Sequence, residues 1–142
     1  MIIDKDLEMD NGYAILDTGA SENYIDLLAA GDAIAPGARI KVQIGTAYVD
    51  AGGGTIIAKL ETDTDSGFGT ALKTLVTGPT ITIAAGAAAS GGAVGVVLLD
   101  VVIPPMASRY IRVYYTFSAA MDAGAMDARI VLDTGKTLDK QL

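Results

Sequence analysis

Val96-Val97-Leu98-Leu99-Asp100-Val101-Val102-Ile103, then Pro104-Pro105, then Arg109-Tyr110-Ile111-Arg112-Val113-Tyr114-Tyr115-Thr116-Phe117: this stretch decides the fold. The first run is apolar but for Asp100, and the two prolines turn the chain because neither can donate to a sheet ladder. The second run alternates, with Ile111, Val113, Tyr115 and Phe117 on one face and Tyr110, Arg112, Tyr114 and Thr116 on the other. Residues 125–133 alternate again, placing Met126, Ala128, Ile130 and Leu132 opposite a face that carries Asp127 and Arg129. A period of two belongs to a strand with one buried face. Three such strands in succession, joined by short turns, make an antiparallel sheet.

Working outward, residues 39–44 carry the same signal, with Ile40, Val42 and Ile44 inward and Arg39, Lys41 and Gln43 outward. Shorter candidates are 13–16 after the Asn11-Gly12 turn, 23–27, 55–61 after Gly52-Gly53-Gly54, 72–76 after a polar loop at 62–69, and 81–84. No helical stripe of useful length and no repeat period emerges. Eight to nine short strands at this spacing predict an all-β, antiparallel two-sheet sandwich of jelly-roll type. The 142 residues form one domain (1–142), with 1–8 as an N-terminal arm and 134–142 as a short C-terminal tail.

Composition narrows the function. Apolar residues make up 51% of the chain and charged residues 19%, against a usual charged share of about 25%. A surface so poor in charge is expected to be covered in part by a partner. A net charge of −7 excludes the basic stripe that a nucleic-acid binder needs. Histidine and cysteine are absent, so the two most adaptable catalytic side chains are missing and no disulfide or thiolate site can form. Residues 74–99 hold no charge and are long enough to cross a bilayer. Their glycine-rich centre at 86–92 and the alternation at Thr80-Ile81-Thr82-Ile83 read instead as strand, loop, strand, with no membrane partner. The N-terminus lacks the basic region and long apolar core of a signal peptide.

Three motifs test the non-catalytic expectation. Ala14-Ile15-Leu16-Asp17-Thr18-Gly19-Ala20 looks like an aspartic-protease loop, and Ile130-Val131-Leu132-Asp133-Thr134-Gly135 repeats it. Paired carboxylates sharing a proton can activate water without histidine. Only seven residues follow Gly135, too few for a second lobe, so the enzymatic alternative is a homodimer using Asp17. The simpler reading is that Asp and Gly make turns at strand ends. Gly135-Lys136-Thr137 lacks both the first glycine of a phosphate loop, since position 130 is Ile130, and a following helix. Asp63, Asp65 and Gly67 echo a calcium loop without its spacing or its closing Glu, and read as a solvated hairpin. No catalytic residue, cofactor or metal site is assigned. Candidate partner-binding residues are Tyr110, Arg112 and Tyr114, of the types that anchor interfaces, and Ile2, Ile3 and Leu7, apolar residues of an arm suited to strand addition.

Ile2-Ile3-Asp4-Lys5 with Leu7, Tyr24-Ile25-Asp26-Leu27 before a glycine-containing loop, Arg109-Tyr110-Ile111-Arg112-Val113 with Tyr115, and Arg129-Ile130-Val131-Leu132-Asp133 occur in this order and spacing. Together they resemble the jelly-roll capsid cement, or decoration, proteins of tailed bacteriophages. The resemblance covers most of the chain, and residues 47–95 add only strand and loop pattern to it. It implies a virion protein on the outer surface of the capsid. There it would bind the major capsid protein and itself, as a homo-oligomer with a dimer favoured over a trimer, and staple neighbouring subunits without catalysis or cofactor. A glycan- or receptor-binding virion sandwich is the other alternative; the chain has six tyrosines but no tryptophan to stack on sugars.

Overall fold

The computed structural model describes residues 8–27, 38–86, 91–104 and 107–132. Ten strands run through them: β1 Glu8–Tyr13, β2 Gly19–Ala20, β3 Ile25–Asp26, β4 Ala38–Val49, β5 Gly54–Asp63, β6 Lys73–Thr77, β7 Ile81–Ile83, β8 Val97–Val102, β9 Tyr110–Phe117 and β10 Ala123–Leu132. One sheet has the order β1-β10-β4-β8; the other has β2-β9-β5-β6, with β3 also on β9 and β7 also on β5. All pairings are antiparallel. β2 and β3 are two pieces of one interrupted strand, and so are β6 and β7. Merging each pair leaves eight strand positions, arranged 1-8-3-6 in one sheet and 2-7-4-5 in the other. That is the jelly roll.

Alternation produces the core. Along β4, Ile40, Val42 and Ile44 are fully buried while Lys41 and Gln43 are not. Ile56, Ala58 and Leu60 of β5, Ile111, Val113 and Tyr115 of β9, and Met126, Ala128 and Ile130 of β10 complete the layer between the sheets. Each fully buried Ile, Leu or Val contributes about 1.5–3 kcal/mol.

Two polar groups are built into this core. Asp10 is buried, accepting a hydrogen bond from the Tyr115 hydroxyl (2.6 Å) and one from the Glu22 N–H (2.6 Å), so one carboxylate ties β1 to β9 and to the segment between β2 and β3. Burial pushes the Asp10 carboxyl above its usual 3.8, and the nearby charges of Glu22 and Asp127 push the same way against those two bonds. Tyr48 donates to the Ile15 carbonyl (2.8 Å), and its ring lies over Gly124.

Strand ends depart from the expectations. The first strand is not 13–16 but Glu8–Tyr13, so the proposed arm reaches the sheet at Glu8. Asn11-Gly12 does not turn the chain; it forms an irregularity in β1, with Gly12 at φ 65° and its N–H on the Asp127 carboxylate (2.7 Å). A bulge absorbs the residue pair that normally marks a hairpin. β4 runs on to Val49, well beyond the expected 39–44, while β5 exceeds the expected 55–61 only slightly, from Gly54 to Asp63. Residues 1–7 and 133–142 lie outside the described residues, and with them Ile2, Ile3, Leu7, the second Asp-Thr-Gly and the tail.

Candidate functional site: an aromatic–arginine face on the six-stranded sheet

The outward face of β9 presents Tyr110, Arg112 and Tyr114, as alternation requires. Their neighbours on β5 are set by register: Asp63 opposite Tyr110, Glu61 opposite Arg112, Lys59 opposite Tyr114. Arg112 bonds Glu61 through Nε (2.9 Å), and both side chains are largely shielded. Its guanidinium lies 4.4 Å from the Phe68 ring centre and 5.2 Å from that of Tyr114. A guanidinium paired on one side and stacked on its faces is held in one orientation.

Phe68 comes from the loop after β5. Glu61, Thr62 and Asp63 are all buried, ending the alternation of β5, because the loop folds back over the outer face of the sheet. Asp63 organises that loop. Its carboxylate accepts from the backbone N–H groups of Asp65 (3.0 Å), Thr70 (3.2 Å) and Ala71 (3.0 Å). Desolvation would raise its pKa, but these backbone donors outweigh it and hold the carboxyl below the usual 3.8. Thr62 adds a second clasp, donating to the Tyr110 carbonyl and accepting the Ser108 N–H, both at 2.8 Å. The segment read as a solvated hairpin is instead a stapled loop: Asp63 is buried, and its acceptor positions are filled by backbone donors. Among the described residues no three potential ligands gather for a metal.

Within this loop Phe68 takes the left-handed region at φ 53°. A bulky side chain there is strained by about 1–2 kcal/mol, and in return its ring sits beneath Arg112. Tyr24, 49% exposed, packs edge-on against both Phe68 (6.1 Å) and Tyr110 (5.6 Å). Beside Tyr110, Arg109 makes a two-pronged bond with Asp26 (2.8 and 2.9 Å), which raises its pKa further, and lies 5.1 Å from the Tyr110 ring. A cavity of about 110 Å³ opens between the 20–24 segment and Ser66, Phe68 and Arg112.

Of the sequence candidates, then, Tyr110, Arg112 and Tyr114 come together, and they recruit two residues that sequence reading missed. In the sequence Tyr24 belongs to a short strand and to one of the segments that carry the resemblance, without a binding role; Phe68 lies in a polar loop, where a lone phenylalanine is the available signal. Asp17 is elsewhere and exposed. Its carboxylate accepts the Thr18 N–H (2.7 Å), while the Thr18 hydroxyl donates to the Phe117 carbonyl (3.2 Å) and accepts the Phe117 N–H (3.0 Å). That geometry is a turn pinned to β9.

No curated protein matches the chain significantly. The match to a family model, described as Bbp16, runs over residues 9–130, from β1 into β10 and so across every strand of both sheets, and the chain belongs to the Bbp16 family.

Proposed function

We propose that this protein is a capsid cement subunit, a non-enzymatic jelly roll that binds the outer surface of a phage head, associates with its own kind and stabilises contacts between major capsid subunits. The observation that carries this reading is the aromatic–arginine face. Arg112, its charge already matched by Glu61, lies over the Phe68 and Tyr114 rings, and Tyr24 packs against Phe68 and Tyr110 beside it. Tyr and Arg in a pre-set arrangement are what interface hot spots are made of. Holding them rigid before contact lowers the ordering cost of binding. The strained backbone at Phe68 supports a binding role, because strain is retained where surrounding structure serves a site. The capsid as partner follows from the resemblance of the four sequence segments to decoration proteins.

Alanine at Tyr24 and at Tyr114 tests the face. Each variant is expected to keep its fold, since both rings lie on the outer surface, and to bind undecorated heads roughly 30-fold more weakly, the effect of losing one hot-spot residue worth about 2 kcal/mol. Head binding unchanged in both variants would remove this face from the capsid contact.

A further inference from the structure

Strand register sets out the outer face of the four-stranded sheet. One row across it reads Glu8 on β1, Arg129 on β10, Lys41 on β4 and Asp100 on β8. The two cations stand directly opposite each other at the centre of that row, an arrangement that destabilises a sheet. Acids lie around them, and each is engaged elsewhere. Asp100 is held by Arg39 at its carboxylate and at its carbonyl (2.9 Å each). Asp127, the next outward residue of β10, accepts the Gly12 N–H (2.7 Å) and lies across Gly45, where a methyl group would meet its carboxylate. Glu8 accepts from the Asn11 amide at 3.5 Å. Among the described residues, ion pairs join Arg39, Arg109 and Arg112 to acids but neither Lys41 nor Arg129. The Arg129 Nε is moreover shielded from solvent without a hydrogen-bond partner, which holds for no other buried side-chain nitrogen or oxygen among the described residues. Buried donors in folded proteins are nearly always paired, so an orphan on an arginine beside a lysine needs a reason.

We propose that Lys41 and Arg129 form the docking site for a carboxylate side chain of a protein partner. The inference rests on the cement reading for the partner's identity, and the carboxylate then belongs to the capsid shell. Charge complementarity carries the choice. The chain has a net charge of −7, yet two uncompensated cations are adjacent here. One carboxylate placed over both relieves their repulsion and gains a charge-assisted bond to a guanidinium already partly stripped of water. A polyanion such as nucleic acid would meet the repulsion of the whole chain, whereas a single acid on a protein surface senses chiefly the local pair. Apolar side chains border the site: Val97 and Val102, outward on β8, are 40% and 49% exposed. It therefore fits an Asp or Glu flanked by apolar residues. The site and the aromatic–arginine face lie on different sheets, so their contacts can be tested separately.

Head binding and stability of the full chain, measured side by side, test the site. The double variant Lys41→Met, Arg129→Met removes both charges and keeps side chains of similar length. It is expected to bind undecorated phage heads about 30-fold more weakly or worse. Its urea midpoint is expected to equal or exceed the parent's, because the free protein loses no ion pair and sheds a like-charge contact. Lys41→Glu sets an internal carboxylate opposite Arg129, and is expected to raise the midpoint while weakening head binding in the same way. Equal head binding by the parent and the double variant would overturn the inference and leave the cement reading standing. A lower urea midpoint in the double variant would also overturn it, by giving the pair a role inside the free protein. So would a change in the protein's mass in solution with head binding intact, which would assign the pair to contacts between copies. Parent protein that binds no heads overturns the cement reading and this site with it.

Discussion

Arg112 and the two buried aspartates concentrate the physics at the scale of single residues. Replacing Arg112 with Ala leaves Glu61 shielded and without its partner, a loss of about 1–3 kcal/mol in unfolding free energy measured by urea titration. Arg112→Lys keeps the charge but not the planar stack on Phe68, and is expected to recover part of that stability while head binding stays weakened. Asp10 and Asp63 make opposite contributions to pH dependence. The Asp10 carboxyl is raised in the folded protein, so the native state binds its proton more tightly. Its contribution is full below 3.8 and is lost as pH rises through the raised value. The Asp63 carboxyl is lowered, so its contribution is present above 3.8 and is lost as pH falls through the folded value. Urea midpoints between about pH 3 and pH 7 check both signs. Relative to the parent protein, Asp10→Asn should gain stability as pH rises, and Asp63→Asn should lose it. Parallel trends in the two variants would contradict the assignment.

At the scale of elements, the strands with clean alternation were legible from residues alone. β4, β9 and β10 each place a continuous apolar face in the core, and those faces are Ile40-Val42-Ile44, Ile111-Val113-Tyr115 and Met126-Ala128-Ile130. What escaped was decided by tertiary contact. β1 was misplaced because the Asn11-Gly12 pair, which alone would turn, is recruited into a bulge by Asp127 on a strand 115 residues away. The last residues of β5 read as polar loop, yet the fold covers them on both faces. The outward placement of Tyr110 and Tyr114 on β9 follows from alternation; the nearness of Phe68 and Tyr24 to Arg112 does not, because it depends on the loop staple and on β3 docking against β9. Close approach also restricts β10. Gly124, at φ 144°, lies under the Tyr48 ring, and a methyl group there would meet its carbons. Gly124→Ala is expected to lower thermal stability, with overpacking alone costing about 1–3 kcal/mol. A melting temperature equal to the parent's would mean that β10 can shift to accommodate it.

At the scale of the whole molecule, the two sheets are held by a shared core and by the Asp10–Tyr115 bond across them, while their outer faces differ in character. The six-stranded sheet offers a rigid aromatic face. The four-stranded sheet ends at β8, which pairs with β4 alone among the described residues and borders a groove lined by Val76 and Pro79. For the proposed capsid clasp, several weak contacts made together become effectively permanent. Co-sedimentation of the purified protein with undecorated, expanded phage heads tests the cement reading most directly. The account predicts saturable binding at a fixed ratio to capsid subunits, and heads that survive heat or dilution better once saturated. Folded protein that stays in the supernatant at every concentration would contradict it.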